Sequence, residues 1–95
     1  MLIEPVQDTF KTSSKMDEKE LEKYTVAAEA GDASAQYNLG VLLSEGDKKQ
    51  QKKAFAWTLK SAKQGFAKGQ SLLAHFYING IGVGQNPDKA YDWYK

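Results

Sequence analysis

The chain repeats itself with a period of 34 residues. The stretch Gly31 to Gly46, GDASAQYNLGVLLSEG, recurs as Gly65 to Gly80, GFAKGQSLLAHFYING. From Ala28/Ala62 to Gly46/Gly80, six of nineteen aligned positions are identical: Ala28/Ala62, Gly31/Gly65, Ala33/Ala67, Gln36/Gln70, Leu39/Leu73 and Gly46/Gly80. Two further pairs stay small, Ala35/Gly69 and Gly40/Ala74. Identity at small, glutamine and leucine positions, with free variation between them, is what repeated helix packing requires. Self-similarity at this period indicates a solenoid of stacked helix pairs.

Helix boundaries follow from caps and apolar spacing. Residues 1–16 contain Pro5, scattered apolar residues and Thr12-Ser13-Ser14 without a helical or strand period, and read as an N-terminal arm. Residues 17–95 form the helical-repeat domain. The first helix is expected from Asp17, whose side chain pairs with Glu20 as an acidic capping box. Its inner stripe is Leu21, Tyr24 and Ala28, and Gly31 stops it. Asp32 caps a second helix over Ala33 to Glu45, ended by Gly46. The polar stretch Asp47 to Lys53, DKKQQKK, reads as a loop, and a third helix is expected over Gln51 to Gln64, closed by Gly65. The fourth runs from Ala67 to Ile78 or Asn79, with Gln70, Leu73, Ala74 and Tyr77 inward. Asn86 as cap and Pro87 as first helical residue begin the fifth.

The resulting class is all-α: five helices in an α/α solenoid of about two and a half repeats. Ala54/Ala90 and Trp57/Trp93 match at an offset of 36, so the second connection is two residues longer than the first. Gly40 inside a helix costs about 1 kcal/mol relative to alanine. Ala74 at the equivalent place indicates that a neighbouring helix comes close at both. Trp93 and Tyr94 have no following helix to cover them and are candidates for an end interface, through which the chain would form a homo-oligomer.

Charge is divided along the chain. Residues 1–47 hold ten acids and four lysines, and residues 48–95 hold nine lysines and two acids, which together give the net charge of +1. All thirteen basic residues are lysine. Arginine is the side chain suited to bidentate phosphate and base-edge contacts, so its absence argues against sequence-specific nucleic-acid reading. No apolar run approaches the ~18 residues of a membrane span. The N-terminus lacks a positive segment followed by an apolar one, so the expected location is the cytoplasm, or an exported compartment if a signal peptide has been removed.

Little in the sequence points to catalysis. Cysteine is absent, which excludes disulfides and thiolate metal sites. The one histidine, His75, has no second His or Cys at ligand spacing. No serine stands three residues before a lysine. Thr12 and Lys15 have that spacing, but in the arm. Gly80-x-Gly82-x-Gly84 follows no strand and misplaces the third glycine of a phosphate loop, so it reads as a turn. No metal or cofactor is expected.

The residues gathered so far are Ala28, Gly31, Ala35-Gln36-Tyr37-Asn38-Leu39-Gly40, Gly46, Gly80-x-Gly82-Val83 and Lys89-Ala90-x-x-Trp93-Tyr94. Together they resemble the Sel-one-like (Sel1-like) repeat, a relative of the tetratricopeptide repeat, over about residues 21–95. The resemblance implies a right-handed α/α superhelix acting as a non-catalytic adaptor between proteins, often bacterial. It also implies that the first helix of each pair lines the concave face. The partner-binding candidates on that face are Ser34, Asn38, Val41 and Glu45, then Lys68, Leu72, His75 and Asn79. Asn38 stands where related proteins hold a peptide carboxylate, and Leu72 replaces its counterpart in the next repeat. The first repeat departs from the pattern by lacking the G-x-G-V loop. Leu43 also stands where the family usually has Tyr, which Tyr77 keeps. Two other readings of the same surface are an inhibitor or immunity-type protein that neutralises one partner, and a self-assembling structural subunit.

Overall fold

A short polar side chain or a glycine punctuates most helix ends, although Phe66 precedes α4 without a side-chain cap. The computed structural model describes residues 18–94. Five helices succeed one another there: α1 (Glu18–Glu29), α2 (Ala33–Ser44), α3 (Lys48–Lys63), α4 (Ala67–Asn79) and α5 (Pro87–Tyr94). The expected arm, the cap at Asp17 and the Thr12/Lys15 pair lie outside the described residues. Each helix packs on the next in sequence, and α2 also packs on α4. By the 34-residue period, α2 and α4 are the first helices of successive repeats, and α1 and α3 are equivalent second helices.

The turns behave as their residues require. Gly31 at φ 102°, Gly65 at 85° and Gly80 at 70° take the left-handed conformation that L side chains avoid. The Asp32 carboxylate accepts from the Ala35 amide at 3.0 Å. Asn86 accepts from the Lys89 amide at 3.1 Å and starts α5 at Pro87 as expected.

One expectation is corrected. DKKQQKK is not a loop, because α3 begins at Lys48. The Asp47 side chain accepts from the Gln50 amide at 2.9 Å, and the Gln50 side chain accepts from the Asp47 amide at 3.2 Å. This reciprocal box satisfies donors that would otherwise be orphaned, and Lys and Gln are good helix formers, so no apolar stripe is needed in the first turn. Gly46 follows the end of α2 as expected, without the left-handed conformation of Gly31, Gly65 and Gly80. Glu45 caps α2 in a right-handed conformation, and Gly46 instead leaves room for the Gln50 side chain that closes the box.

The repeated glutamines hold equivalent positions. Gln36 Nε2 donates to the Ala28 carbonyl at 3.1 Å, and Gln70 Nε2 donates to the Ala62 carbonyl at 3.4 Å. Each amide thus adds a second donor to a carbonyl in the last turn of the preceding second helix, which also accepts from the amide of the turn glycine, Gly31 or Gly65. The Ala28/Ala62 and Gln36/Gln70 identities in the sequence are therefore two ends of one recurring hydrogen bond.

The core has two parts. Ala28, Ala35 and Leu39 form one, with Leu21, Tyr24, Ala27 and Trp57 packed against it. Ala62, Leu73, Ala74, Tyr77 and Ala90 form the other, with Phe55, Leu59, Val83 and Trp93 against it. Between the two, Ser61 Oγ donates to the Ala33 carbonyl at 2.8 Å. Gln64 Nε2 bridges the Gly31 carbonyl at 3.0 Å and Gln36 Oε1 at 2.9 Å. Phe76 is fully buried although sequence spacing did not single it out.

Gly40 is a close approach, as its pairing with Ala74 suggested. A Cβ there would run into the Thr58 hydroxyl on α3 and lie 3.3 Å from Leu72 on α4. Gly82, at φ 71°, sets the course of the longer second connection, and a Cβ on it would strike the Gln51 carbonyl and lie 2.9 Å from the Phe55 Cβ. The turn thereby folds onto α3 and brings Val83 to the second core.

Candidate interaction surface

The candidate residues lie on equivalent stripes of α2 and α4, because each pair (34/68, 38/72, 41/75, 45/79) differs by the repeat period. On a helix, residues three and four apart share a face, so each stripe is continuous. Ser34 and Glu45 are exposed and Asn38 and Val41 half-buried; on α4, Lys68, His75 and Asn79 are exposed and Leu72 half-buried.

Two shallow depressions divide these residues. One, of about 420 Å³, lies between α1 and α2 and takes in Ser34 and Asn38 beside Lys23, Tyr24 and Ala27. The other, of about 410 Å³, lies between α2 and α4 and takes in Lys68, Leu72 and His75 beside Tyr37 and Ser71. Val41, Glu45 and Asn79 line neither. Asn79 is occupied locally: its Nδ2 donates to the His75 carbonyl at 3.0 Å and sits 3.2 Å from His75 Nδ1. The side chain therefore fastens the end of α4 and the His75 ring to each other.

Tyr37 belongs to this surface and was missed in the sequence. It is half-buried, and its ring centroid lies 5.9 Å from that of Phe66, tilted by 56°. Phe66 precedes α4, so the ring pair fixes the wall of the second depression. The available signal was its place next to Asn38 and three residues after Ser34. Tyr24 was likewise assigned to the core alone, yet it lines the first depression as well.

The chemistry of the second depression is one-sided. It offers the Lys68 amine, the Ser71 and Tyr37 hydroxyls and the His75 imidazole around the apolar Leu72 and Ala67, with no carboxylate among them. The first is mixed, with Glu20 and Asp32 in its lining as well as Lys23. Both are open troughs, suited to a chain segment laid across them rather than to an engulfed small molecule. Among the described residues, no three His, Asp or Glu side chains come together as a metal site.

A third depression, of about 730 Å³, is lined among the described residues by α1 and the residue after it, around Val26, Ala27 and Ala30, where Val26 is 62% exposed. The two C-terminal candidates differ from each other. Trp93 is half-buried against the second core, contrary to the expectation that nothing covers it, because α5 folds back on α4. Tyr94 is 56% exposed.

Comparison with known proteins agrees with the period. The Sel1 repeat model matches residues 33–66 and 67–95, which correspond to α2 with α3 and to α4 with α5. The chain is 36% identical over 76 residues to a chitin synthase regulator, SKT5, of Saccharomyces cerevisiae. That alignment covers 76% of this chain and 11% of the yeast protein.

Proposed function

Because the chain belongs to the Sel1 repeat family, we propose that it is a non-catalytic adaptor whose α2 and α4 face binds a segment of another protein. Sel1 repeats generally mediate protein–protein interaction, and the family is typically a non-catalytic scaffold. The chain spans 11% of the yeast regulator of chitin synthase, so what the two have in common is the repeat scaffold. The observation that carries the reading is the pair of adjoining troughs flanking α2, floored by Asn38 and Leu72 at equivalent places in successive repeats. An extended segment crossing both would meet mixed charge first and a cationic, partly apolar trough second. The segment that suits this order has an apolar side chain for Leu72 and a carboxylate within reach of Lys68.

A photo-crosslinking amino acid at Asn38 or at Leu72 tests this in extract of the source cell. Both positions should capture the same protein, and a crosslinker at Val26 should not. Binding of that purified protein should then be lost on Leu72→Glu with the helical content intact. Equal capture from all three positions would remove the basis for the reading.

A second reading, self-assembly through α5, draws on Tyr91 at 66% and Tyr94 at 56% exposure on that short helix. Sedimentation across a range of concentrations decides it: a strict monomer excludes self-assembly.

A further inference from the structure

The outer face of α3 carries lysine where the scaffold asks only for something polar. The inward side chains of this helix are Ala54, Thr58, Ser61 and Ala62, all buried. Lys48, Lys49, Lys52, Lys53, Lys60 and Lys63 are all exposed. The helix KKQQKKAFAWTLKSAK contains no Asp or Glu. At a rise of about 1.5 Å per residue its stripe of amines is roughly 24 Å long.

Two of these lysines have a local explanation. Lys60 and Lys63 lie in the last turn, where the helix dipole favours a cation. The other four have none. Lys48 and Lys49 stand in the first turn, at the positive end of the dipole where acids are favoured, and that turn contains no acid. Lys48/Lys52 and Lys49/Lys53 are also like-charged pairs four residues apart, an arrangement that opposes the helix. Among the described residues none of the four has an ion-pair partner. The Asp47–Gln50 box holds the helix start in spite of them.

The repeat separates what the fold needs from what has been added. At the places of Lys52 and Lys53, α1 has Glu18 and Lys19, 34 residues earlier, and α5 has Asp88 and Lys89, 36 residues later. Both equivalent helices set an acid beside the lysine. Only α3 replaces that acid with a second amine, so packing of the stack does not explain it.

We propose that the outer face of α3 is a docking surface for an acidic protein segment, a run of Asp and Glu laid along the lysine stripe. The surface is on a different helix from the α2 and α4 face and does not depend on that reading. Nucleic acid fits it less well: there is no arginine fork for phosphate. The aromatic ring on this helix closest to the stripe, Trp57, is half-buried, with the Lys60 amine 4.9 Å from its centroid, so it offers no stacking ladder for bases. A membrane surface fits less well too, because α3 exposes no large apolar side chain to insert.

The test uses the full chain and three probes: a fluorescein-labelled poly-glutamate peptide long enough to span α3, an oligothymidylate of equal charge, and phosphatidylserine vesicles. The peptide should bind best. Its affinity should fall roughly tenfold or more from low to physiological salt, where charges beyond about 8 Å are screened. The double variant Lys49→Glu, Lys53→Glu should abolish binding while leaving the circular dichroism spectrum unchanged. Lys89→Glu, the same charge reversal at an exposed lysine of α5 outside both surfaces, should leave peptide binding largely unaltered. No peptide binding, indifference to the Lys49/Lys53 reversal, or tighter binding of the oligothymidylate or the vesicles would overturn the proposal. So would low-salt dimerisation abolished by the same reversal, which would make the occupant a second copy of this chain.

Discussion

Gly40 and Thr58 show how one atom decides what a position tolerates. Thr58 is fully buried, and its hydroxyl has no hydrogen-bond partner among the described residues. A Cβ on Gly40 collides with that hydroxyl first, while Leu72 and the Thr58 Cβ follow at 3.3 Å. Gly40→Ala gains about 1 kcal/mol of helix propensity but overpacks the contact, at about 1–3 kcal/mol, so the net runs from neutral to about 2 kcal/mol destabilising. With Thr58→Ala in the background the hydroxyl is gone and the propensity gain should reappear. A urea-denaturation double-mutant cycle should therefore give a favourable coupling of about 1 kcal/mol or more; additive single effects would show that the two side chains do not meet. Gly82→Ala has no such rescue. Its φ of 71° costs an alanine about 1–2 kcal/mol, and the new Cβ strikes backbone at Gln51, so thermal melting should shift down and stay down in any side-chain background. The closeness at Gly40 was legible in the sequence because Ala74 occupies the same place in the next repeat. The identity of the opposing atom was not, since Thr58 is related to Gly40 by packing and by no spacing.

Helix α3 is the element the sequence conveyed least well. Its first six residues, KKQQKK, have no apolar member, and periodicity has nothing to detect until Ala54. What holds them helical is the side-chain box from Asp47 to Gln50, a contact only three residues long. Asp47→Ala should therefore cost about 1 kcal/mol of stability, a typical value for a lost cap. Lys49→Glu should do the opposite, adding a few tenths of a kcal/mol by placing an acid at the positive end of the dipole. Both shifts are measurable as changes in the urea midpoint. A stabilised Lys49→Glu variant that no longer binds acidic peptide would separate what the helix prefers from what the surface does. The ends of α2, α4 and α5 were easier, because Asp32, Gly80 and Asn86 each act through their own backbone neighbours. On the interaction face, the stripes on α2 and α4 followed from the period. Their division into two troughs did not, because it depends on how Tyr24 and Tyr37 fill the space beside α2.

At the scale of the whole molecule, the question is whether two small cores act as one. Leu39 and Leu73 are repeat equivalents, each buried in a different cluster. The first cluster draws on α1 and α2 with Trp57 from α3, and the second on α3, α4 and α5. The polar links between them are few: Ser61 to the Ala33 carbonyl, and Gln64 to Gly31 and Gln36. Stability in stacked repeats is approximately a sum of unit terms and nearest-neighbour interfaces, so a weakened unit can open without its neighbours. Truncating either leucine to alanine should remove about 2–5 kcal/mol from its own cluster. Under native conditions, Leu39→Ala should therefore accelerate amide hydrogen exchange in α1 and α2 while α4 and α5 keep most of their protection. Leu73→Ala should accelerate exchange in α4 and α5, and in α3, which both clusters share. If Leu39→Ala instead raised exchange equally in all five helices, the links through Ser61 and Gln64 would be strong enough to make the stack a single cooperative unit. A partner crossing both troughs would also span the two clusters by contacting α2 and α4 together. Its binding should then suppress the local opening caused by Leu39→Ala more strongly than that caused by any substitution confined to α5.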